Sequence, residues 1–154
     1  MSFSRSRTRR FLLQSLYTRF MTGTSASKSN EFFDEPEKID DTYAALLEEA
    51  ILSQEGKILA VIYEVAPKYD IKSLATVNAI ILMICLSEIL IVCPEDVPVK
   101  VSVDEAIELA KRYSDPAGKN LINGILNTII TQRDTLIATW DARKPLNYSL
   151  FPPK

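Results

Sequence analysis

The stretch from Leu74 to Val92 is the longest apolar segment of the chain, and it constrains the fold more than any other feature. Hydrophobic residues recur on nearly all sides of a helix drawn through it, which is typical of a helix buried among others. Its most apolar part, residues 79–93, is interrupted by Ser87 and Glu88 and falls short of the ~20 residues that a bilayer-spanning helix needs. We therefore expect a central core helix.

Apolar residues at three- and four-residue spacing predict further helices along the chain. These cover residues 9–21, a helix capped by Asp41 or Thr42, a separate helix over residues 58–66, one that starts at Ser102 or Asp104 and ends at Tyr113, and one that enters at Asp115 and Pro116 and continues toward Trp140. Only four glycines occur, and no segment indicates a strand. The fold class predicted is all-α.

Two residues of the last helix carry packing predictions. Gly124 follows Asn123 inside a continuing apolar stripe, so we interpret it as a point of close helix approach rather than a tight turn. Trp140 is predicted to be a core anchor rather than a platform on which a nucleobase stacks.

Charge is distributed unevenly along the chain. The net charge of −2 argues against a protein that coats nucleic acid without specificity. Residues 1–22 nevertheless hold five arginines and no acid, whereas residues 23–55 hold two lysines and nine acids. Residues 22–41 combine small polar residues with an acidic stretch and predict a long loop.

The residue types that most enzymes need are scarce. The chain has no histidine, no phosphate-binding glycine loop and no nucleophile motif, so neither an enzyme nor a cofactor is expected. Its two cysteines, Cys85 and Cys93, lie in the apolar stretch, where we interpret them as buried thiols. Two thiols eight residues apart on a helix supply neither a disulfide nor a metal site. A reduced, cytoplasmic protein is predicted.

Four arginines, Arg5, Arg7, Arg9 and Arg10, fall within six residues and alternate with hydroxyl side chains. Guanidinium groups bind phosphates through a planar fork and stack on unpaired bases, which is the chemistry of RNA recognition. The alternative is a solvated, disordered N-terminus or a targeting tail. Composition alone leaves the two alternatives open.

Three motifs resemble the NusB family. Residues 96–111, DVPVKVSVDEAIELAK, are similar to its signature connector and helix, residues 121–127, LINGILN, to the motif that follows, and residues 9–17, RRFLLQSLY, to its opening helix. The resemblance implies a compact domain of six to seven helices, formed by two three-helix bundles that share a long central helix. We assign residues 1–140, with a basic N-terminal arm, to this domain and residues 141–154 to an extended, proline-containing tail.

The resemblance also implies a function, namely binding of boxA-type single-stranded RNA of ribosomal leader transcripts together with the ribosomal protein NusE, within an RNA polymerase antitermination complex. Carried over by position, the RNA contacts would be Arg5, Arg7 and Arg9, whereas Arg10 stands where the family usually has an acid and makes this arm more basic. We add Arg10 and, near the second motif, Lys119, Asn120 and Leu121 as further candidate RNA contacts. Leu121 and Ala117 stand where the family offers an aromatic residue and an acid.

Tyr17 and Glu88 match family positions that face NusE, and their alternative interpretation is a core tyrosine and an exposed helix acid. Asn78, Ala79 and Met83 replace charged family residues on the central helix. If exposed, they could form a homodimer interface; if buried, the tail over residues 146–151 could cover them. A protein-interaction module without sequence-specific RNA binding is the alternative function.

Overall fold

A computed structural model of the chain describes residues 4–23, 39–68 and 74–151. These residues form five helices: α1 (Arg5–Thr22), α2 (Asp41–Val65), α3 (Thr76–Leu86), α4 (Val99–Tyr113) and α5 (Pro116–Ala138). The described residues contain no strand, and the predicted all-α class is confirmed. Most of the predicted acidic loop, residues 24–38, lies outside the described residues.

Local capping chemistry sets three of the helix starts. The side chains of Ser4, Asp40 and Asp115 each accept a hydrogen bond from a first-turn amide of the helix that follows. The predicted entry of α5 at Asp115 and Pro116 is confirmed, whereas α2 is capped one residue earlier than predicted. Because α1 begins at Arg5, the arginines occupy its first turns, so the alternative of a disordered N-terminus is wrong for residues 5–10.

The predicted core helix forms and is buried without interruption from Asn78 to Leu90. Its last part, Ser87–Val92, is a π-helix, which ends at Cys93 with a left-handed φ of 46°. The other four helices all pack against α3 or its π-helical extension. Cys85 is buried as predicted, but Cys93 is exposed, because the chain leaves the core where the π-helix ends.

Two helix boundaries differ from the prediction. Residues 41–65 form one helix, kinked at Gln54, where two separate helices were expected. Helix α4 begins at Val99, directly after Pro98, because proline's fixed φ suits a helix start. Ser102 therefore lies inside α4, where its hydroxyl is buried instead of capping the helix.

The C-terminal tail packs on the kink of α2. The Leu146 amide donates to the Gly56 carbonyl at 3.0 Å, and the Leu150 amide donates to a Glu55 carboxylate oxygen at 2.5 Å. Trp140 is buried, as predicted, and its indole N–H donates to Gln54 at 2.6 Å. Gln54 thus connects the kink of α2 to Trp140.

The apolar substitutions on the central helix are buried within the chain. Asn78, Ala79 and Met83 are all buried, so of the two alternatives for these residues the structure has the buried one. The tail is not what covers Asn78, because the Asn78 side chain contacts Ser114 and the start of α5, whereas the tail binds α2. Ser114 donates to the Asn78 side-chain oxygen at 2.6 Å.

The close approach predicted at Gly124 does not exist. A Cβ atom built there would meet nothing within 4 Å, and the residue is exposed. Close approach occurs instead at Gly118, where a Cβ would collide with the side chains of Ser114 and Asn78, and at Gly56, where it would lie 2.6 Å from the Cβ of Pro145. The glycine in the sequence motif is therefore free of packing constraints.

Alanine substitutions at two helical glycines are expected to have opposite effects on stability. At Gly56 the new methyl group would collide with Pro145 and the Leu146 backbone, and overpacking of this kind costs about 1–3 kcal/mol. Gly124→Ala is the matched control, and it should raise the free energy of unfolding by about 0.5–1 kcal/mol because alanine favours a helix. Urea denaturation of both variants tests this, and equal shifts would contradict the tail packing.

Candidate functional site

A buried ion pair connects α1 to the π-helix. Arg9 donates through Nε and NH2 to the two carboxylate oxygens of Glu88, at 3.0 and 2.8 Å. The Tyr43 hydroxyl of α2 donates to the same carboxylate at 2.6 Å, and the Ser102 hydroxyl of α4 donates to its other oxygen. Arg9 is 4% exposed and Glu88 is 1% exposed. We call Arg9, Glu88, Tyr43 and Ser102 the buried network.

The electrostatics of the buried network favour the ion pair. Burial disfavours the charge on Arg9, but the hydrogen bonds and charge of Glu88 outweigh it, so the pKa of the guanidinium is raised. Burial, together with the hydrogen bond to Glu88, also raises the pKa of the Tyr43 phenol. Glu105 lies 3.7 Å from the Arg9 guanidinium as a weaker second partner. The network therefore joins four elements through one carboxylate.

The buried network contains two residues that the sequence predicts to contact a ligand, Arg9 for RNA and Glu88 for NusE. Arg9 and Glu88 point inward, so either could touch a ligand only if the network opened. The alternative interpretation of the partner residues is wrong for both: Tyr17 is 40% exposed, and the acid Glu88 is buried. Tyr17 and Glu88 do not share a surface in this structure.

Arg5 lies at the edge of the buried network. Its guanidinium carbon is 4.0 Å from the ring centroid of Tyr43, the distance of a cation–π contact. Its NH1 donates to the carboxylate of Asp96 at 2.9 Å, in the connector between the π-helix and α4. Tyr43 thus contacts Glu88 through its hydroxyl and Arg5 through its ring.

Helices α1 and α4 run side by side in the same direction. The Ser6 hydroxyl donates to Glu105 at 2.9 Å, and the Gln14 amide donates to the Tyr113 hydroxyl at 3.2 Å, both across 99 residues. Between them lies a cavity of about 390 Å³, which we call the α1/α4 groove. The groove is lined by Ser6, Arg10, Glu105, Glu108, Leu109, Lys111 and Arg112. It gathers three cations from two helices.

The other half of α1 lines an apolar cavity of about 540 Å³, which we call the Tyr17 groove. Leu13, Tyr17 and Met21 form its α1 wall, with Val77 and Tyr113 opposite. The ring of Tyr17 lies 6.1 Å from that of Phe20. An exposed tyrosine beside an apolar cavity is the kind of surface that proteins use to bind one another.

The remaining predicted RNA contacts lie elsewhere. Asn120 and Leu121 line a cavity of about 300 Å³, the α2/α5 groove, together with Lys68 and Gly124. Lys119 is half-buried at the same end of α5. Ala117 is exposed one turn before Leu121. Among the α1/α4, Tyr17 and α2/α5 grooves, none is lined both by these residues and by an arginine of α1.

Three residues near the predicted site were not expected from the sequence: Lys111, Arg112 and Tyr43. Lys111 and Arg112 suit the C-terminal end of α4 by charge, and nothing in their spacing shows that Arg10 lies opposite. Tyr43 matches a helix core pattern, which hides its contacts with Arg5 and Glu88. Arg7 is half-buried in the first turn of α1, where its amide donates to Ser4.

Residues 4–23, 39–68 and 74–151 contain no group of three or more His, Cys, Asp or Glu side chains that could hold a metal. Burial raises the pKa of the Cys85 thiol, which keeps it protonated and unreactive. Among the helices of these residues, none has the length and apolarity to cross a membrane.

Comparisons with known proteins agree on one family. The sequence model that describes the NusB family matches residues 6–131. The transcription antitermination protein NusB of Clostridium perfringens (strain SM101 / Type A) is 37% identical over 131 residues, covering 82% of this chain and 96% of that protein. The solved structure of T. maritima NusB superposes with a TM-score of 0.72 at 26% identity, covering 86% and 94%. The chain therefore belongs to the NusB family of transcription antitermination proteins.

Proposed function

We propose that this chain is a cytoplasmic antitermination factor that binds boxA-type RNA of ribosomal leader transcripts together with NusE, and so keeps RNA polymerase elongating. It would act by binding and positioning, without catalysis. The protein as a whole is acidic, so attraction of RNA must come from a local concentration of cations.

The observation that carries this proposal is the convergence of Arg10, Lys111 and Arg112 on the α1/α4 groove. Phosphates of a single strand are spaced by the sugar backbone, so cations on two parallel helices can bind successive phosphates. Two acids also line the groove: Glu105 accepts from Ser6, and Glu108 accepts from Lys111 at 3.2 Å in an exposed pair that a phosphate can break at little cost. Specificity would then come from contacts to the bases.

The α2/α5 groove supplies a second contact surface in this proposal. Leu121 and the unpacked Gly124 leave apolar space, while Asn120 and Lys68 offer polar groups at the same groove. A base can lie against leucine through apolar contact, although leucine lacks the ring that stacks most strongly. We place Lys119, Asn120 and Leu121 here as secondary RNA contacts.

The Tyr17 groove is the surface that we assign to NusE. It adjoins the α1/α4 groove along the same two helices, so a protein bound there would lie beside the RNA. A partner bound there could contact the same RNA, so that the two proteins together would bind the RNA more tightly than either protein alone. Arg9 and Glu88 would contribute indirectly, because the buried network holds the helices that form both surfaces in position.

The deciding experiment measures binding of fluorescent boxA RNA to the full chain by anisotropy, with and without NusE. A scrambled RNA of equal length is the control. We expect tighter binding to boxA than to the scrambled RNA, further tightening by NusE, and an affinity that falls steeply with salt. Equal binding of both RNAs in the presence of NusE would overturn the proposal in favour of a protein-interaction module.

Replacing Tyr17 by alanine should weaken the NusE contribution. Central aromatic residues of an interface often cost 2 kcal/mol or more when truncated, so we expect about a 30-fold loss of affinity for NusE. Tyr63→Ala is the matched control, because Tyr63 is an exposed tyrosine on α2 outside the Tyr17 groove. Calorimetric titration of NusE into each variant tests this, and equal affinities would place the partner surface elsewhere.

A further inference from the structure

Arg5 is held between an aromatic ring and a carboxylate. The Tyr43 ring is 3% exposed and is fixed in turn by the hydrogen bond from its hydroxyl to Glu88. Asp96 contacts the guanidinium from the solvent side and is 70% exposed, while the Arg5 side chain is 32% exposed. The acid belongs to the connector motif that resembles the family signature, and its side chain pairs with Arg5 across 91 residues.

We propose that Arg5 and Tyr43 form a preformed site for one RNA phosphate. In the free protein the Asp96 carboxylate occupies this site, and the phosphate displaces it when RNA binds. This inference rests on the proposed function and names one contact within it. Asp96 acts as a stand-in for the anion: an oxygen acceptor on the same guanidinium edge, supplied by the protein itself.

The exposure of the pair makes the exchange favourable. An ion pair open to solvent contributes little, so breaking it costs little. A phosphate offers the guanidinium fork two oxygens, whereas Asp96 accepts from Arg5 through one. Because Tyr43 fixes the guanidinium from the buried side, Arg5 loses little conformational freedom on binding RNA. The neighbouring guanidinium also lowers the pKa of Asp96, which keeps the carboxylate ionised at neutral pH.

The arrangement predicts that removing the Asp96 charge strengthens RNA binding more than removing another nearby acid. Glu95→Gln is the matched control, since Glu95 is the adjacent exposed acid and its loss changes the net charge equally. At low salt, with NusE present, we expect Asp96→Asn to bind boxA RNA about two- to fivefold more tightly than Glu95→Gln. In an Arg5→Gln background the two variants should bind equally.

Nuclear magnetic resonance titration of the Asp96 carboxyl gives a second, direct measurement. Its pKa should rise toward the ordinary aspartate value in Arg5→Gln, and also in the wild-type chain saturated with RNA. An Asp96 pKa that stays low in the RNA complex would overturn the replacement, as would equal affinities of Asp96→Asn and Glu95→Gln. Failure of the wild-type chain to prefer boxA RNA would instead overturn the proposed function, and this inference with it.

Discussion

Glu88→Gln is expected to lower the free energy of unfolding by about 3–5 kcal/mol, because it leaves the buried Arg9 cation without its main partner. Glutamine offers one acceptor oxygen where Glu88 now accepts four hydrogen bonds, from Arg9, Tyr43 and Ser102. Glu105, at 3.7 Å, cannot replace the lost charge at this distance and exposure. Midpoints of urea denaturation for the wild type and the variant measure the loss.

Two controls separate this effect from a general loss of one acid. Glu49→Gln removes an exposed charge from α2 and should change stability by less than about 0.5 kcal/mol. Adding Arg9→Met to Glu88→Gln removes the unpaired cation, so the double variant should regain part of the loss. A Glu88→Gln midpoint equal to that of Glu49→Gln would mean that the ion pair does not stabilise the fold.

The buried network also shows where sequence-based prediction fails. A single acid in an apolar run usually marks the exposed side of a helix, yet Glu88 is buried because its partners come from helices 79, 45 and 14 residues away. The π-helix changes the residues per turn, so the helical pattern does not predict which way residues after Leu86 point. Neither feature leaves a local signal in the sequence.

Local signals, in contrast, predicted the elements that they control. The start of α5 follows from Asp115 and Pro116, and the core helix follows from the hydrophobic residues on nearly all of its sides. The polar residues 53–57 favour a gap between two helices, whereas the structure has a kink within one helix. The tail that binds at this kink lies some 90 residues later in the sequence, so no local pattern indicates it. The close approach predicted at Gly124 occurs instead at Gly118 and Gly56, because only the packing of neighbouring elements distinguishes these glycines.

One part of the predicted site follows from the local sequence, and the other part depends on the tertiary fold. The cluster of arginines could be found from composition, and the resemblance to the family's opening helix from the motif of residues 9–17. Which arginines are accessible could not, because Arg9 is neutralised by Glu88 while Arg10 lines a groove. The pairing of α1 with α4, which adds Lys111 and Arg112, depends on a register that only the fold defines.

Replacing Arg5, Arg7 and Arg10 together by glutamine is expected to weaken boxA RNA binding about a hundredfold, because each lost phosphate contact costs about 1 kcal/mol at an exposed site. The slope of log affinity against log salt should also become shallower by about 2, since three fewer counterions are released from a single strand. Arg9 is left unchanged, so that the buried network stays intact. Anisotropy titrations at several salt concentrations, with NusE present, measure both quantities.

Single variants separate the effect of a cation's position on RNA binding from the effect of its charge alone. Arg10→Gln and Lys144→Gln each remove one cation, but Arg10 lines the α1/α4 groove whereas Lys144 is exposed in the C-terminal tail. Arg10→Gln should reduce both the affinity and the salt slope, and Lys144→Gln should leave both nearly unchanged. If the triple variant retained the wild-type salt slope, RNA would not bind along α1, and the α2/α5 groove would become the main candidate for phosphate contact.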